Sequence, residues 1–326
     1  MPLVSILIPT YNRESLIGDC IESALKQTES DLEIIIVDNA STDRTWELCQ
    51  QYALKDSRVR IFQNKTNIGP VKNWEMCINK AAGKYGKVLF SDDLMYPSFL
   101  ERTLPLIQKS NVGFVITASE VGAFPGSGSV HHQWKNRPKI FSSDKYIEDS
   151  LFSFGALVSP GAALFRIDDL KNNLMIEIPS PYLENFSSHG AGPDLLLFLL
   201  TANSYPEVAQ ISDPLVFFRN HDDSTTVKAR KTKAWPINNC YTQARMWYVN
   251  EYSNKKLRSK SLARAWLLEI LENRDFSKWS PMDVSRMYWN KVKSVSWFQF
   301  SIGLVIIFSK GIIYLAERKI RTIRER

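Results

Sequence analysis

VSILIPTYNRE, residues 4–14, opens with an unbroken apolar run and then turns abruptly polar. A run without alternation is the pattern of a strand buried on both faces, as in a parallel sheet covered by helices. Residues 13–26 follow with Leu16, Ile17, Cys20, Ile21, Ala24 and Leu25 at helical spacing, and LEIIIVDN (32–39) repeats the buried-strand pattern. Asp43 is expected to cap a helix running to about Leu54. RVRIFQN (58–64) reads as the third strand, and residues 70–82 as a helix with Trp74, Cys77, Ile78 and Ala81 on one face. KVLF (87–90) is the fourth strand, 97–109 the next helix and NVGFVITASE (111–120) the fifth strand. This order predicts an α/β fold, a mostly parallel sheet flanked by helices.

Beyond residue 120 the pattern loosens. Residues 122–138 are rich in Gly, Ser and Pro and read as a long loop, a kind that is usually functional or mobile in a compact domain. Residues 144–154 look helical, AALFRI (162–167) strand-like, GPDLLLFLLTAN (192–203) a buried helix and PLVFFRN (214–220) a further strand. HDDSTTVKARKTK (221–233) is a polar, basic loop, and 236–290 is again helical, a C-terminal extension rich in aromatic residues.

Composition narrows the classes. The chain has 326 residues, 44% hydrophobic and 23% charged, which is globular. Its four cysteines, Cys20, Cys49, Cys77 and Cys240, form no CxxC pair, so a reducing compartment without disulfide framework or zinc site is expected. MPLVSILIPT lacks the basic start of a signal peptide. The net charge of +7 is uneven: residues 310–326 carry six Lys and Arg against two Glu. That tail follows SVSWFQFSIGLVIIFS (294–309), sixteen residues without charge, so the basicity points to a membrane surface. Sixteen is short for a span of about twenty apolar residues. The expectation is a helix lying on an anionic membrane surface, with a buried core helix and a membrane span as the alternatives. Aromatic-basic interleaving and zinc-finger spacing are absent, which argues against nucleic acid as partner.

Ligands of open α/β sheets bind beyond the carboxyl ends of the strands. Here the first strand ends in Pro9-Thr10-Tyr11-Asn12, the second in Asp38-Asn39-Ala40-Ser41, the third runs on to Asn67-Ile68-Gly69, and the fourth ends in Ser91-Asp92-Asp93. Four polar tips on one edge are a stronger signal than any one motif. Taken singly, Asp38 also reads as a turn former, Asn67 and Gly69 as a turn, and the Asp pair as a solvated loop. Together they favour a site that holds a metal.

VSILIPTYNRE, IIIVDNASTD, NIGPVKNW, AAGKY and VLFSDDLMYP, in this order and spacing, resemble the inverting family 2 glycosyltransferases of the GT-A fold. The resemblance covers residues 1 to about 110 and continues more weakly through GPDLLLF and PLVFFRNHDDST, as in bacterial enzymes that build surface polysaccharides. It implies a nucleotide-diphosphate sugar donor, UDP-linked by preference, and a saccharide or lipid-linked saccharide acceptor at the cytoplasmic face of the inner membrane. It implies a donor pocket of Pro9, Thr10 and Tyr11 about the base, Asp38 accepting from a base N–H, Asn67 beside it, Asp92 toward ribose or diphosphate and His221 facing the phosphates. Asp93 would ligate Mn²⁺ or Mg²⁺, and Asp194 would be the general base, with Glu184 the second choice. Phe90 stands where relatives often carry a further acid. Lys228, Arg230, Lys231 and Lys233 read as a solvated run or a clamp on the diphosphate, and His131 and His132 as surface or acceptor residues.

The expected organisation is a glycosyltransferase domain over 1–225 (a nucleotide-sugar half, 1–120, and an acceptor half, 121–225), a basic loop and helical extension over 226–293, and the membrane helix with its basic tail over 294–326. Two other functions share features with this reading. A sugar-nucleotide nucleotidyltransferase has a similar sheet but needs a Gly-rich, Arg-containing loop where PTYNRE stands. A non-catalytic nucleotide-binding membrane protein would keep Asp38 but transfer nothing. A nicotinamide dehydrogenase is excluded, since no GxGxxG follows a strand.

Overall fold

The computed structural model describes residues 1–131, 139–152, 158–180, 185–221, 224, 237–253, 255–273, 280–289 and 295–309. These fall into two compact units. One is drawn from Met1–Tyr146, Leu157–Glu177 and Asn185–Pro236, the other from Ile147–Ala156, Ile178–Glu184 and Ile237–Arg326.

The first unit is built on one sheet. Its apolar runs become β1 (Val4–Thr10) and β2 (Leu32–Asp38), buried along their whole length, then β3 (Val59–Gln63) and β4 (Tyr85–Val88). The fourth strand thus begins and ends two residues earlier than the sequence suggests, although Leu89 N–H still donates to the Leu7 carbonyl at 2.8 Å. Between them lie α1 (Ile17–Leu25), α2 (Thr45–Lys55) and α3 (Pro70–Lys80). α1 buries Ile17, Cys20, Ile21 and Ala24, one stripe at helical spacing. α3 starts where Gly69 takes φ 85° and Pro70 supplies a preset first helical residue. Asp43 does serve the start of α2: its Oδ1 accepts the Thr45 N–H at 3.0 Å.

Then come β5 (Leu94–Met95), α4 (Phe99–Ile107), β6 (Val112–Gly122), β7 (Ser129–His131), β8 (Ile140–Ser142), α5 (Ser143–Phe152), β9 (Ala163–Arg166), α6 (Ile167–Asn173), α7 (Pro193–Ser204) and β10 (Glu207–Arg219). The order across the sheet is β3-β2-β1-β4-β9-β6-β10-β5, with β7 on β6 and β8 on β10. The first four strands are parallel, and so is the long β6–β10 pair; β9 runs antiparallel between the two groups. The result is a mixed sheet in which most of the pairing is parallel. β1 lies between β2 and β4, so the chain's direction of winding reverses there. The crevice at such a reversal, beyond the strand ends, is where ligands bind in this class of sheet.

α7 is apolar on all sides and buries Leu195, Leu196, Leu197, Phe198 and Leu199. Phe198 joins Phe114, Phe165 and Tyr146 in an aromatic cluster, with Phe114 at 5.0 Å and Phe165 at 5.0 Å from its ring centre. Cys20, Cys49 and Cys77 are buried thiols; burial pushes Cys49 up to about 12, which leaves it unreactive.

The described elements of the second unit are helices: residues 147–152 of α5, Ile237–Tyr252, Lys255–Asn273, Pro281–Trp289 and residues 297–309. Among the described residues, no helix is long and apolar enough to cross a membrane.

Candidate active site

The residues after β1 and β2 are laced together. Asn12 sits at φ 49° and Ala40 at φ 61°, backbone conformations uncommon for residues with a Cβ and frequent at functional sites. Asn12 N–H donates to Ser41 Oγ at 2.9 Å, and Asn12 Oδ1 accepts the Thr42 N–H at 2.8 Å. Arg13 N–H donates to Thr45 Oγ1 at 2.7 Å. Tyr11 stands out from this rim at 39% exposure, the geometry of a face open to stacking. Pro9 and Thr10 are buried beneath it, and the Thr10 hydroxyl has no hydrogen-bond partner among the described residues.

Asp38 is fully buried. Its Oδ2 accepts the Ser41 N–H at 3.0 Å and Gln63 Nε2 at 2.9 Å, and its Oδ1 accepts the Ser41 hydroxyl. These three donors occupy three of the carboxylate's roughly four acceptor positions. Asp38 therefore is the turn former, with one acceptor position not filled by these three donors. Asn67 is exposed and shapes the neighbouring turn: its Oδ1 accepts Asn39 Nδ2 and the Gly69 N–H, each at 2.9 Å. Asn39 Oδ1 in turn accepts from Asn64 Nδ2 and the Ile68 N–H, each at 3.0 Å. This asparagine network was not anticipated, although Asn39, Asn64 and Asn73 all stand near the strand tips.

The two aspartates after β4 face different ways. β5 starts directly after Asp93 and pairs antiparallel with β10, Leu94 opposite Phe217. That pairing brings Arg219 alongside: its N–H donates to Asp93 Oδ1 at 3.1 Å, its Nε to the Asp92 carbonyl at 3.3 Å and its Nη2 to Asp19 at 3.1 Å. Asp93 is only 9% exposed. Burial and then the Asp92 charge push its carboxyl well above the usual range, against the opposing pull of Arg219 and Lys87. Lys87 is itself fully buried, donating to the carbonyls of Val88 and Gly161, with burial lowering it to about 7.

Asp92 is the aspartate that opens to solvent. His221 Nε2 stands 3.0 Å from Asp92 Oδ2, and Arg13 Nη2 stands 3.9 Å from the same oxygen. Asp93, the carboxylate expected to bind the metal, accepts from the β10 backbone through Oδ1, while Asp92 with His221 makes the more exposed pair. The Asp92 carboxylate suits Mn²⁺ or Mg²⁺ when a diphosphate supplies further oxygens, and His221 stands beside it. Among the described residues no group of three or more His, Cys, Asp or Glu converges as a metal site on its own. Arg13 and Arg219 were missed from sequence, yet both adjoin strand tips, in PTYNRE and VFFRN.

Phe90 is held by packing. Its ring lies 5.4 Å from that of Trp74, and a Cβ on Gly161 would stand 3.1 Å from it. Trp74 carries the loop before α7: Gly190, at φ 77°, packs so closely that a Cβ there would stand 2.4 Å from the Trp74 ring. Gly69 does likewise, its Cβ position 2.9 Å from the Ser187 carbonyl. Through Trp74 and Phe90 the loop that leads into Asp194 is built onto the Asp92 segment. Asp194, in the first turn of α7, accepts through Oδ1 the N–H groups of Gly192 at 2.8 Å and Leu195 at 2.7 Å. His131 is in β7, with Ser129 Oγ 2.9 Å from its Nε2. Glu184, His132, Lys228, Arg230, Lys231 and Lys233 lie outside the described residues.

Residues 5–173 match glycosyl transferase family 2. The glycosyltransferase GlyG of Streptococcus pneumoniae serotype 4 is 33% identical over 114 residues, 35% of this chain and 38% of that protein. TuaG of Bacillus subtilis, named for teichuronic acid biosynthesis, is 33% identical over 126 residues, 39% of this chain and 50% of its own. The chain thus spans half or less of the length of these relatives. Among solved structures, Staphylococcus aureus TarS 1–349 in complex with UDP-GlcNAc superposes with a TM-score of 0.64 at 16% identity, over 97% of this chain and 92% of that one, a likeness of fold. With the mixed sheet, the polar strand tips and a match over more than half its length, the chain belongs to glycosyl transferase family 2.

Proposed function

We propose that the protein moves a sugar from a nucleotide-diphosphate sugar, UDP-linked by preference, to a hydroxyl of a saccharide or lipid-linked saccharide in bacterial surface-polysaccharide synthesis, with inversion. The observation that carries the reading is the Asp92–His221 pair at 3.0 Å, flanked by Arg13, beyond the ends of the parallel strands. The UDP-GlcNAc bound to TarS and the teichuronic acid role in TuaG's name support the donor and acceptor classes.

In this reading Tyr11 stacks on the base, and the remaining acceptor position of Asp38 takes a base N–H. Thr10, whose hydroxyl is buried beside them, completes that end of the pocket. Asp92 and His221 would hold Mn²⁺ or Mg²⁺; such an ion, when bound, stabilises the negative charge that grows on the leaving diphosphate. Arg13 adds a fixed positive charge beside the same phosphates. Asp194 takes the proton of the acceptor hydroxyl as it attacks. Its Oδ1 is held by two backbone N–H groups, which orients the carboxylate. One-step displacement from the face opposite the leaving group gives inversion.

The test is a panel of nucleotide-diphosphate sugars with and without Mn²⁺, read as release of the nucleoside diphosphate. Metal-dependent release from one donor, accelerated by a saccharide acceptor, is the expected result. Nucleotide binding with no release from any donor would leave the non-catalytic reading standing instead. Release of pyrophosphate from a nucleoside triphosphate and a sugar phosphate would favour the nucleotidyltransferase.

A further inference from the structure

The helical residues 297–309 contain no charged side chain. One face is buried: Phe300, Gly303 and Ile307. A Cβ at Gly303 would stand 2.9 Å from Lys260 Cα and 3.1 Å from Ala263 Cβ, so this segment lies in close contact with the helix Lys255–Asn273. The Phe300 ring is 5.8 Å from that of Trp266, and Ser296 N–H donates to Ser259 Oγ at 2.9 Å. The segment is thus fixed to the second unit.

Its other face is exposed and apolar. Phe298 is 72% exposed, Val305 68%, Phe308 56% and Trp297 52%. Phe298, Ser301, Val305 and Phe308 lie along one stripe at helical spacing. The polar groups on the stripe make no outward demand: Ser301 Oγ donates to the Trp297 carbonyl at 3.0 Å and Ser309 Oγ to the Val305 carbonyl at 2.8 Å. A face with its own hydroxyls satisfied and no charge has nothing with which to select a polar partner, but suits an apolar phase. The sequence that follows, 310–326, carries six Lys and Arg against two Glu.

We propose that this stripe docks on an anionic lipid surface. Trp297, Phe298, Val305 and Phe308 enter the boundary between headgroups and acyl chains, and the positive charge of the sequence that follows, 310–326, favours an anionic surface over a neutral one. The segment lies on the surface and does not cross it. The inference stands apart from the transfer chemistry, because it uses no residue of the proposed active site and is read by lipid binding.

The experiment uses the full chain in vesicle cosedimentation, with phosphatidylcholine vesicles and with equal parts phosphatidylcholine and phosphatidylglycerol. The wild type is expected to bind the anionic vesicles at least about tenfold better, since each basic residue near such a surface contributes roughly fivefold. High salt should weaken that binding. The double variant Phe298→Asp/Phe308→Asp should lose about tenfold or more of it, with an unchanged thermal melt and unchanged donor hydrolysis in lipid-free buffer. Equal binding by wild type and variant, or no preference for the anionic vesicles, overturns the proposal. Concentration-dependent self-association that the double variant abolishes, without vesicle binding, would give the stripe to a second copy of the chain and also overturn it.

Discussion

His221 Nε2 and Asp92 Oδ2 are 3.0 Å apart although 129 positions separate them in the chain. The contact exists because β10 pairs with β5, the short strand that follows the two aspartates, so that the end of one element meets the start of the other. Asp92→Asn and His221→Ala should each weaken Mn²⁺ binding in the presence of UDP, and Asp92→Asn should lower turnover by about 10³-fold. Asp93→Asn should cost less than about tenfold, since an amide oxygen can still accept the Arg219 N–H. Calorimetric Mn²⁺ titration beside donor-hydrolysis rates would decide. A larger loss at Asp93 than at Asp92 would return the metal to Asp93.

Asp194→Asn separates two roles that coincide in one side chain. The amide oxygen can still accept the N–H groups of Gly192 and Leu195, so the thermal melt should stay within a few degrees of wild type. The proton acceptor is gone, so turnover should fall by about 10²–10⁴-fold while donor affinity is kept. Normal turnover in the variant would move the base to another carboxylate.

Much of this was legible in the sequence where physics acts locally. Strands buried on both faces cannot alternate, so β1 and β2 announced themselves, and polar residues after them marked the edge that meets ligand. What was not legible depends on distant pairing. Which of Asp92 and Asp93 turns outward is decided by Arg219, which reaches them only through β10. That Gln63, at the end of β3, helps Ser41 to hold the Asp38 carboxylate appears only once β2 and β3 are paired. That Phe90 packs against Trp74 and Gly161 is likewise visible only once the fold brings them together.

Phe90→Asp is therefore not expected to recover a metal ligand. The ring fills space against Trp74 and Gly161, and a carboxylate there would sit in aromatic surroundings beside two existing acids. Stability should fall by roughly 2–4 kcal/mol from the lost packing and the desolvated charge. Mn²⁺ affinity should not rise. Urea denaturation and the same calorimetric titration would check both halves, and a stable variant with tighter metal binding would show that Phe90 only blocks a ligand position.

Gly190→Ala tests the link from Trp74 to Asp194. The added Cβ would meet the Trp74 ring at 2.4 Å in a left-handed backbone, so the loop or the ring must shift. A loss of about 1–3 kcal/mol is expected. Turnover should fall further than donor affinity, because the displaced loop carries the proposed base and not the nucleotide pocket. Equal losses in both would mean that Trp74 serves the nucleotide pocket as well.

The opposite end of the sheet gives a pH prediction that leaves the site untouched. Glu33, near the start of β2, accepts from Ser5 Oγ at 2.6 Å and from the Ala82 N–H at 2.7 Å, and pairs with Arg60. Burial raises its carboxyl, but the bonds from Ser5, Ala82 and Arg60 outweigh burial and hold it below the ordinary 4.5. A carboxylate depressed in the folded state binds fewer protons there than in the unfolded chain. Its stabilisation is thus complete above about pH 4.5 and is lost as pH falls through the lower folded value. Glu33→Gln should lower stability by roughly 1–3 kcal/mol at about pH 7, and the gap to wild type should narrow at about pH 3.5. Urea midpoints at the two pH values measure this, and a gap that stays constant would mean that Glu33 contributes by shape and not by charge.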